Sequence, residues 1–65
     1  MTSIEVVSNG KPLTIEITET WDFIRDVHGF QAHVVDKEAY QRHIVGRYDT
    51  REIAEQKARE WIASS

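Results

Sequence analysis

The sequence predicts a small α+β domain: a four-stranded antiparallel meander with one C-terminal helix packed across a single face. Three observations predict it. Apolar and polar residues alternate through most of the first 48 positions, an Asn9-Gly10 pair separates the first two alternating runs, and the last quarter switches to helical spacing. The 65-residue length corresponds to one domain, 1–65. A chain this short buries only about 60% of the surface its unfolded form exposes.

The first element is a hairpin. Asn-Gly is the strongest two-residue hairpin signal, because both central positions of a type I′ turn need φ > 0. Placing the turn at Asn9-Gly10 pairs Ser8 with Lys11, Val6 with Leu13 and Ile4 with Ile15. The same register gathers Ile4, Val6, Leu13 and Ile15 on one face, so turn chemistry and hydrophobic alternation agree. Pro12 falls opposite Val7, where its missing N–H faces away from the partner strand.

The alternation runs on through Ile17, Trp21 and Phe23, broken only at Glu19. That break predicts a kink or bulge near Thr18-Glu19-Thr20, with the strand preferred over a short helix at Trp21–His28. A turn is then expected near Asp26-Val27-His28-Gly29, with His28 a turn residue. Phe30–Val34 and Gln41–Val45 alternate next, and a three-residue loop at Lys37-Glu38-Ala39 pairs Val34 with Arg42, Ala32 with Ile44 and His33 with His43. The last element is a helix. Asp49-Thr50-Arg51-Glu52 has the form of a capping box, and Ile53, Ala54, Ala58, Trp61 and Ile62 make one apolar stripe. Glu55 and Arg59 form an i, i+4 pair on its exposed side. The expected core is Ile4, Val6, Leu13, Ile15, Trp21, Phe23, Phe30, Val34, Ile44, Tyr48, Ile53, Trp61 and Ile62. One helix covers one face, which leaves the other face of the sheet open.

Composition narrows function. With no cysteine there are no disulfides, no thiolate nucleophile and no Cys-ligated zinc. No apolar run approaches the ~20 residues of a membrane span, so a cytoplasmic domain without membrane contact is expected. The glycines are isolated and make no phosphate loop, and no Ser–His–acid arrangement marks an activated nucleophile. No cofactor and no catalytic residue is expected, and the chain reads as a non-enzyme.

Candidate sites lie on the surface. The net charge is −3, and residues 1–39 hold seven carboxylates against three cations. Glu5, Glu16 and Asp22 share the parity of the open face and, with Asp26, form an acidic strip suited to a basic protein surface. Val7, Val35 and Val45 supply an apolar centre on that face. Arg42, Arg47 and Arg51 flank the sheet–helix junction and are the alternative, a phosphate contact for nucleic acid. The aromatics all carry core parity, which leaves no platform for stacking bases. His33 and His43, expected to be directly opposed, are a candidate metal pair lacking a third ligand, and their plainer reading is two solvated imidazoles. A second copy of the chain is a further possible partner, through open faces or edge strands.

The stretch Tyr48–Ile62, YDTREIAEQKAREWI, resembles the strand-to-helix ending of many small bacterial and phage proteins. In size and charge the whole chain resembles small phage- or mobile-element-encoded inhibitors such as anti-CRISPR proteins and DNA mimics. That resemblance implies an interaction protein that masks its partner.

Overall fold

A computed structural model describes residues 2–64 and contains β1 (Thr2–Ser8), β2 (Lys11–Asp22), β3 (Val27–Asp36), β4 (Gln41–Tyr48) and α1 (Arg51–Ser64). The four strands form one antiparallel sheet in the order β1-β2-β3-β4, with α1 packed on one face. The α+β meander expected from the sequence is the fold observed. Asn9 and Gly10 have φ values of 53° and 77°, and the first hairpin keeps the expected register, Ser8 with Lys11 through Ile4 with Ile15.

The other two turns share a construction that the sequence reading placed differently. Asp22 ends β2, and its Oδ1 accepts the N–H groups of Ile24 and Arg25 at 3.1 and 3.3 Å. Asp36 ends β3, and its Oδ1 accepts the N–H groups of Glu38 and Ala39 at 3.1 Å each. Each loop closes on a residue with φ of 53°, Asp26 in one and Tyr40 in the other. A side-chain carboxylate thus organises each loop of four residues. The first turn lies at 23–26 rather than 26–29, so His28 belongs to β3 and pairs with Trp21.

In the second loop, four residues replace the expected three, which moves the β3–β4 register by one. A one-residue slip exchanges faces. Val34 is opposite His43 rather than Arg42, and His33 is opposite Ile44. Ile44 is therefore 66% exposed on the open face and is not core. A bulge between Ala32 and His33 then absorbs Val45 as an extra residue, which restores parity so that Gly46 and Tyr48 return to the helix side. Val45 packs against the core instead of joining the open face. A Cβ on Gly46 would sit 2.6 Å from the Tyr48 hydroxyl, so the missing side chain is the space that the tyrosine fills. No bulge occurs at Thr18–Thr20; β2 and β3 pair without interruption from Thr14 with Val35 to Asp22 with Val27.

The buried core is Ile15, Ile17, Ala32, Val34, Ala54, Ala58 and Ile62, flanked by Ile4, Val6, Leu13, Phe30, Val45, Tyr48 and Trp61. Ala54 and Ala58 let the helix backbone approach the sheet closely, while Ile53 turns toward solvent and leaves the stripe. The N-cap is Thr50, whose Oγ1 accepts the Ile53 N–H at 3.1 Å, so the capping box expected from Asp49 does not form. Glu55 and Arg59 do pair, at 3.0 Å.

Length sets the remaining architecture. A helix of 14 residues spans about 21 Å. A strand of 12 residues spans about 40 Å, close to the molecule's 42 Å long dimension. Among the described residues β1 pairs with β2 as far as Ile17, and β4 pairs with β3 only as far as Phe30. Beyond those points β2 and β3 continue as a two-stranded arm that the helix does not reach. Trp21 and Phe23, expected in the core, lie on that arm.

Candidate functional site

The arm runs from Thr20 through the 23–26 turn to Gly29, with Glu19 and Phe30 at its base. Its helix-side face carries Glu19, Trp21, His28 and, at the base, Phe30, on the same parity as Ile15 and Ile17. No helix covers Trp21 or His28. Trp21 is 57% exposed, Phe23 73% and Ile24 85%, and Val27 is also exposed.

These side chains are ordered by one another. The Trp21 and His28 rings stack across the strands, with centroids 5.4 Å apart and planes 8° from parallel. Phe23 meets Trp21 edge to face, at 6.1 Å and 64°. The Trp21 indole N–H donates to Asp26 Oδ1 at 3.3 Å, which fixes the ring's orientation. His28 Nδ1 lies 3.7 Å from Glu19 Oε1. At the arm's base the Arg51 guanidinium sits 5.7 Å from the Phe30 ring centroid, a cation–π arrangement. On the opposite face Arg47 lies over Gly29, where an added Cβ would come within 3.0 Å of its Nε. The result is a row of aromatic rings edged by carboxylates.

The residues singled out from the sequence are dispersed by this geometry. Glu5 is exposed on the open face, but Glu16 is half-buried with Oε1 3.0 Å from Arg42. Asp22 and Asp26 belong to the arm's turn and flank Trp21 and Phe23, so the four carboxylates do not form one strip. Val7 is exposed and Val35 half-buried on the open face, while Val45 faces the core and exposed Ile44 stands where an apolar centre was expected. Arg42 engages Glu16, Arg47 covers Gly29 and Arg51 covers Phe30, so the three cations point to different partners.

The two histidines are not opposed. His33 keeps the open face, with its Nδ1 buried and unpartnered, whereas His43 lies on the helix side with its ring 5.1 Å from that of Trp61. Among the described residues no group of three or more His, Cys, Asp or Glu side chains is placed to hold a metal ion.

A cleft of about 350 Å³ opens between Trp61 of α1, the turn at Asn9 and the facing ends of β3 and β4 at Asp36 and Gln41. Leu13, Val34 and Trp61 form its floor, and Lys11, Asp36 and His43 its rim. Asp36 is 5% exposed and bonded to Lys11. The Lys11 ammonium beside it holds the Asp36 carboxyl below its ordinary value, and the Asp36 carboxylate holds Lys11 above its own. Every Asp36 oxygen is thereby occupied, Oδ1 by two backbone N–H groups and Oδ2 by Lys11. The pair ties the β1–β2 turn to the β3–β4 turn.

Sequence reasoning missed the arm by assigning Trp21 and Phe23 to the core. Two signals pointed to it. The alternation from Leu13 to Phe23 outlasts both the first strand and any 14-residue helix, and Glu19 interrupts it where cover ends. Comparison with known family models, curated proteins and solved structures finds no match to this chain. No helix among the described residues is long and apolar enough to cross a membrane.

Proposed function

We propose that this protein is a non-enzymatic interaction domain that binds and masks a partner protein, and that the β2–β3 arm is its contact element. The observation that carries this reading is the exposure of Trp21, Phe23, Ile24 and Val27 together on a projecting hairpin. At ~150–250 Å² for an aromatic side chain, Trp21 and Phe23 in contact present roughly 250 Å² of apolar surface, and Ile24 and Val27 add exposed apolar groups around the tip. The largest apolar patches on monomers are about 300–600 Å² and often functional. Tryptophan and flanking aromatics are also the side chains that dominate interface energetics. A convex arm calls for a concave receiving surface, and one partner's share of a standard interface is about 800 Å². The same geometry favours aromatic docking over mimicry of a phosphate row, because Glu16 is neutralised by Arg42 and the acidic strip is broken.

The test is a comparative capture. Immobilised wild type and a Phe23→Ser/Ile24→Ser variant are exposed to the same host lysate and the retained proteins quantified, after thermal unfolding has shown equal stability. A protein held by wild type and by Glu5→Gln, but lost by the arm variant, is the expected result. Identical retention by wild type and arm variant would discard the arm as the contact element.

A further inference from the structure

We propose that the tip of the arm is a receptor for an arginine side chain on a basic segment of the partner, seated against Trp21 and Phe23 beside Asp26. This rests on the arm being the contact element and names the chemistry it recognises.

Four features converge on a guanidinium. Trp21 and Phe23 present two exposed ring surfaces 64° apart, a corner rather than a flat wall. Aromatic faces attract cations, and the planar guanidinium stacks on indole better than an ammonium does. A carboxylate stands at the same corner: Asp26 commits Oδ1 to the indole N–H, and its Oδ2 has no hydrogen-bond partner among the described residues. Asp22, on the other face of β2, commits Oδ1 to the turn and holds Oδ2 3.9 Å from Arg25, so it adds negative charge to the tip without lining the corner. Finally, Arg51 already sits over Phe30 in the same aromatic row, so this surface holds one guanidinium from its own chain.

Charge decides between this occupant and two others. Residues 19–29 contain Glu19, Asp22 and Asp26 against Arg25, a formal charge of −2. Exposed tryptophan and phenylalanine also suit stacked bases, but a nucleic-acid backbone would bring phosphates toward three carboxylates. A second copy would set one −2 arm against another. A basic peptide segment is attracted by the same field.

The probes are acetylated Gly-Arg-Gly-Arg-Gly, its lysine counterpart, and its citrulline counterpart, which keeps the planar shape and lacks the charge. Binding is read from the amide and indole signals of the ¹⁵N-labelled protein, with the Trp21 indole identified by its loss in Trp21→Phe. The arginine peptide is expected to shift the Trp21 indole and the Phe23 amide, and to bind about two- to fivefold tighter than the citrulline peptide. Asp26→Asn, which keeps an acceptor for the indole, should narrow that preference, and 0.5 M salt should weaken binding. Equal binding of arginine and citrulline peptides overturns the proposal. So does a stronger response at the same signals to a pentathymidylate, or a shift of those signals with protein concentration alone. If the peptides fail while the lysate partner is still lost from the Phe23→Ser/Ile24→Ser variant, the arm reading survives and only the arginine assignment falls. If capture fails too, both fall.

Discussion

β2 carries one alternating pattern through twelve residues, yet its two halves differ completely in burial. Ile15 and Ile17 are 0% and 2% exposed, whereas Trp21, on the same face four residues beyond Ile17, is 57% exposed. The backbone pairing is continuous across this change, so strand formation does not distinguish the halves. The difference is the helix, whose roughly 21 Å cannot cover a strand of about 40 Å. Alternation therefore specifies which side chains share a face, while the covering element decides whether that face is core or contact surface. The body of the molecule is stabilised by burial, and the arm leaves comparable apolar groups exposed to solvent.

The sharpest way to break this comparison is to truncate equivalent positions in both halves. Ile15→Ala leaves a cavity among Ile17, Val34 and Ala58 and should cost about 2–5 kcal/mol. A domain this size commonly has a stability of only about 3–5 kcal/mol, so the variant should be largely unfolded at 37 °C by circular dichroism. Phe23→Ala removes a larger side chain from the arm, yet should change stability by no more than about 0.5 kcal/mol, because solvent already reaches it. Comparable losses at both positions would mean that the arm is packed as the body is.

A second pair tests the faces of β4. Val45→Ser places a hydroxyl against the core and should cost about 1–3 kcal/mol. Its neighbour Ile44→Ser alters an open-face side chain and should stay within about 0.5 kcal/mol. Urea denaturation of the two variants measures the difference directly, and a larger loss at Ile44 would restore the three-residue loop register. Thr50→Ala, which removes the helix N-cap, should cost about 1 kcal/mol. For a domain this small, that is a fall in Tm of roughly 4–8 °C.

Much of the fold was legible because independent signals coincided. Asn9-Gly10 and the parity of Ile4, Val6, Leu13 and Ile15 select one register, and the helix follows from the spacing of Ala54, Ala58 and Ile62. Legibility ended where one residue decides parity. Neither four-residue loop has glycine at its left-handed position; Asp26 and Tyr40 occupy it, and tyrosine there is an uncommon choice. The device that builds both loops, an aspartate at the strand end holding two backbone N–H groups, was present at Asp22 and Asp36 but gives no count of loop residues until the bonds are drawn. The His33–His43 pairing and the assignments of Ile44 and Val45 failed together for that one reason. The exposed aromatic row was hidden for another: an apolar residue on core parity looks the same in sequence whether or not a helix lies above it.

The smallest effect concerns the body alone and appears as a small difference at neutrality that disappears at both extremes of pH. Lys11 and Asp36 join the two turns at the end opposite the arm. The hydrogen bond from Lys11 holds the folded Asp36 carboxyl below its ordinary value of 3.8. Its contribution is therefore complete above that value and is lost as pH falls through the lower folded one. Lys11 is held above 10.5, so its contribution is complete below 10.5 and is lost as pH rises through the higher folded value. Asp36→Asn keeps an acceptor for the Glu38 and Ala39 N–H groups while removing the charge, so the loop should survive. Urea midpoints for the variant should lie slightly below wild type at neutral pH and converge with it below about pH 4 and above about pH 10, where wild type has lost the pair. Unchanged slopes would show that the pair spans the turns without stabilising them. The arm's Trp21 indole signal should stay in place throughout at neutral pH, since the pair sits at the far end of the sheet.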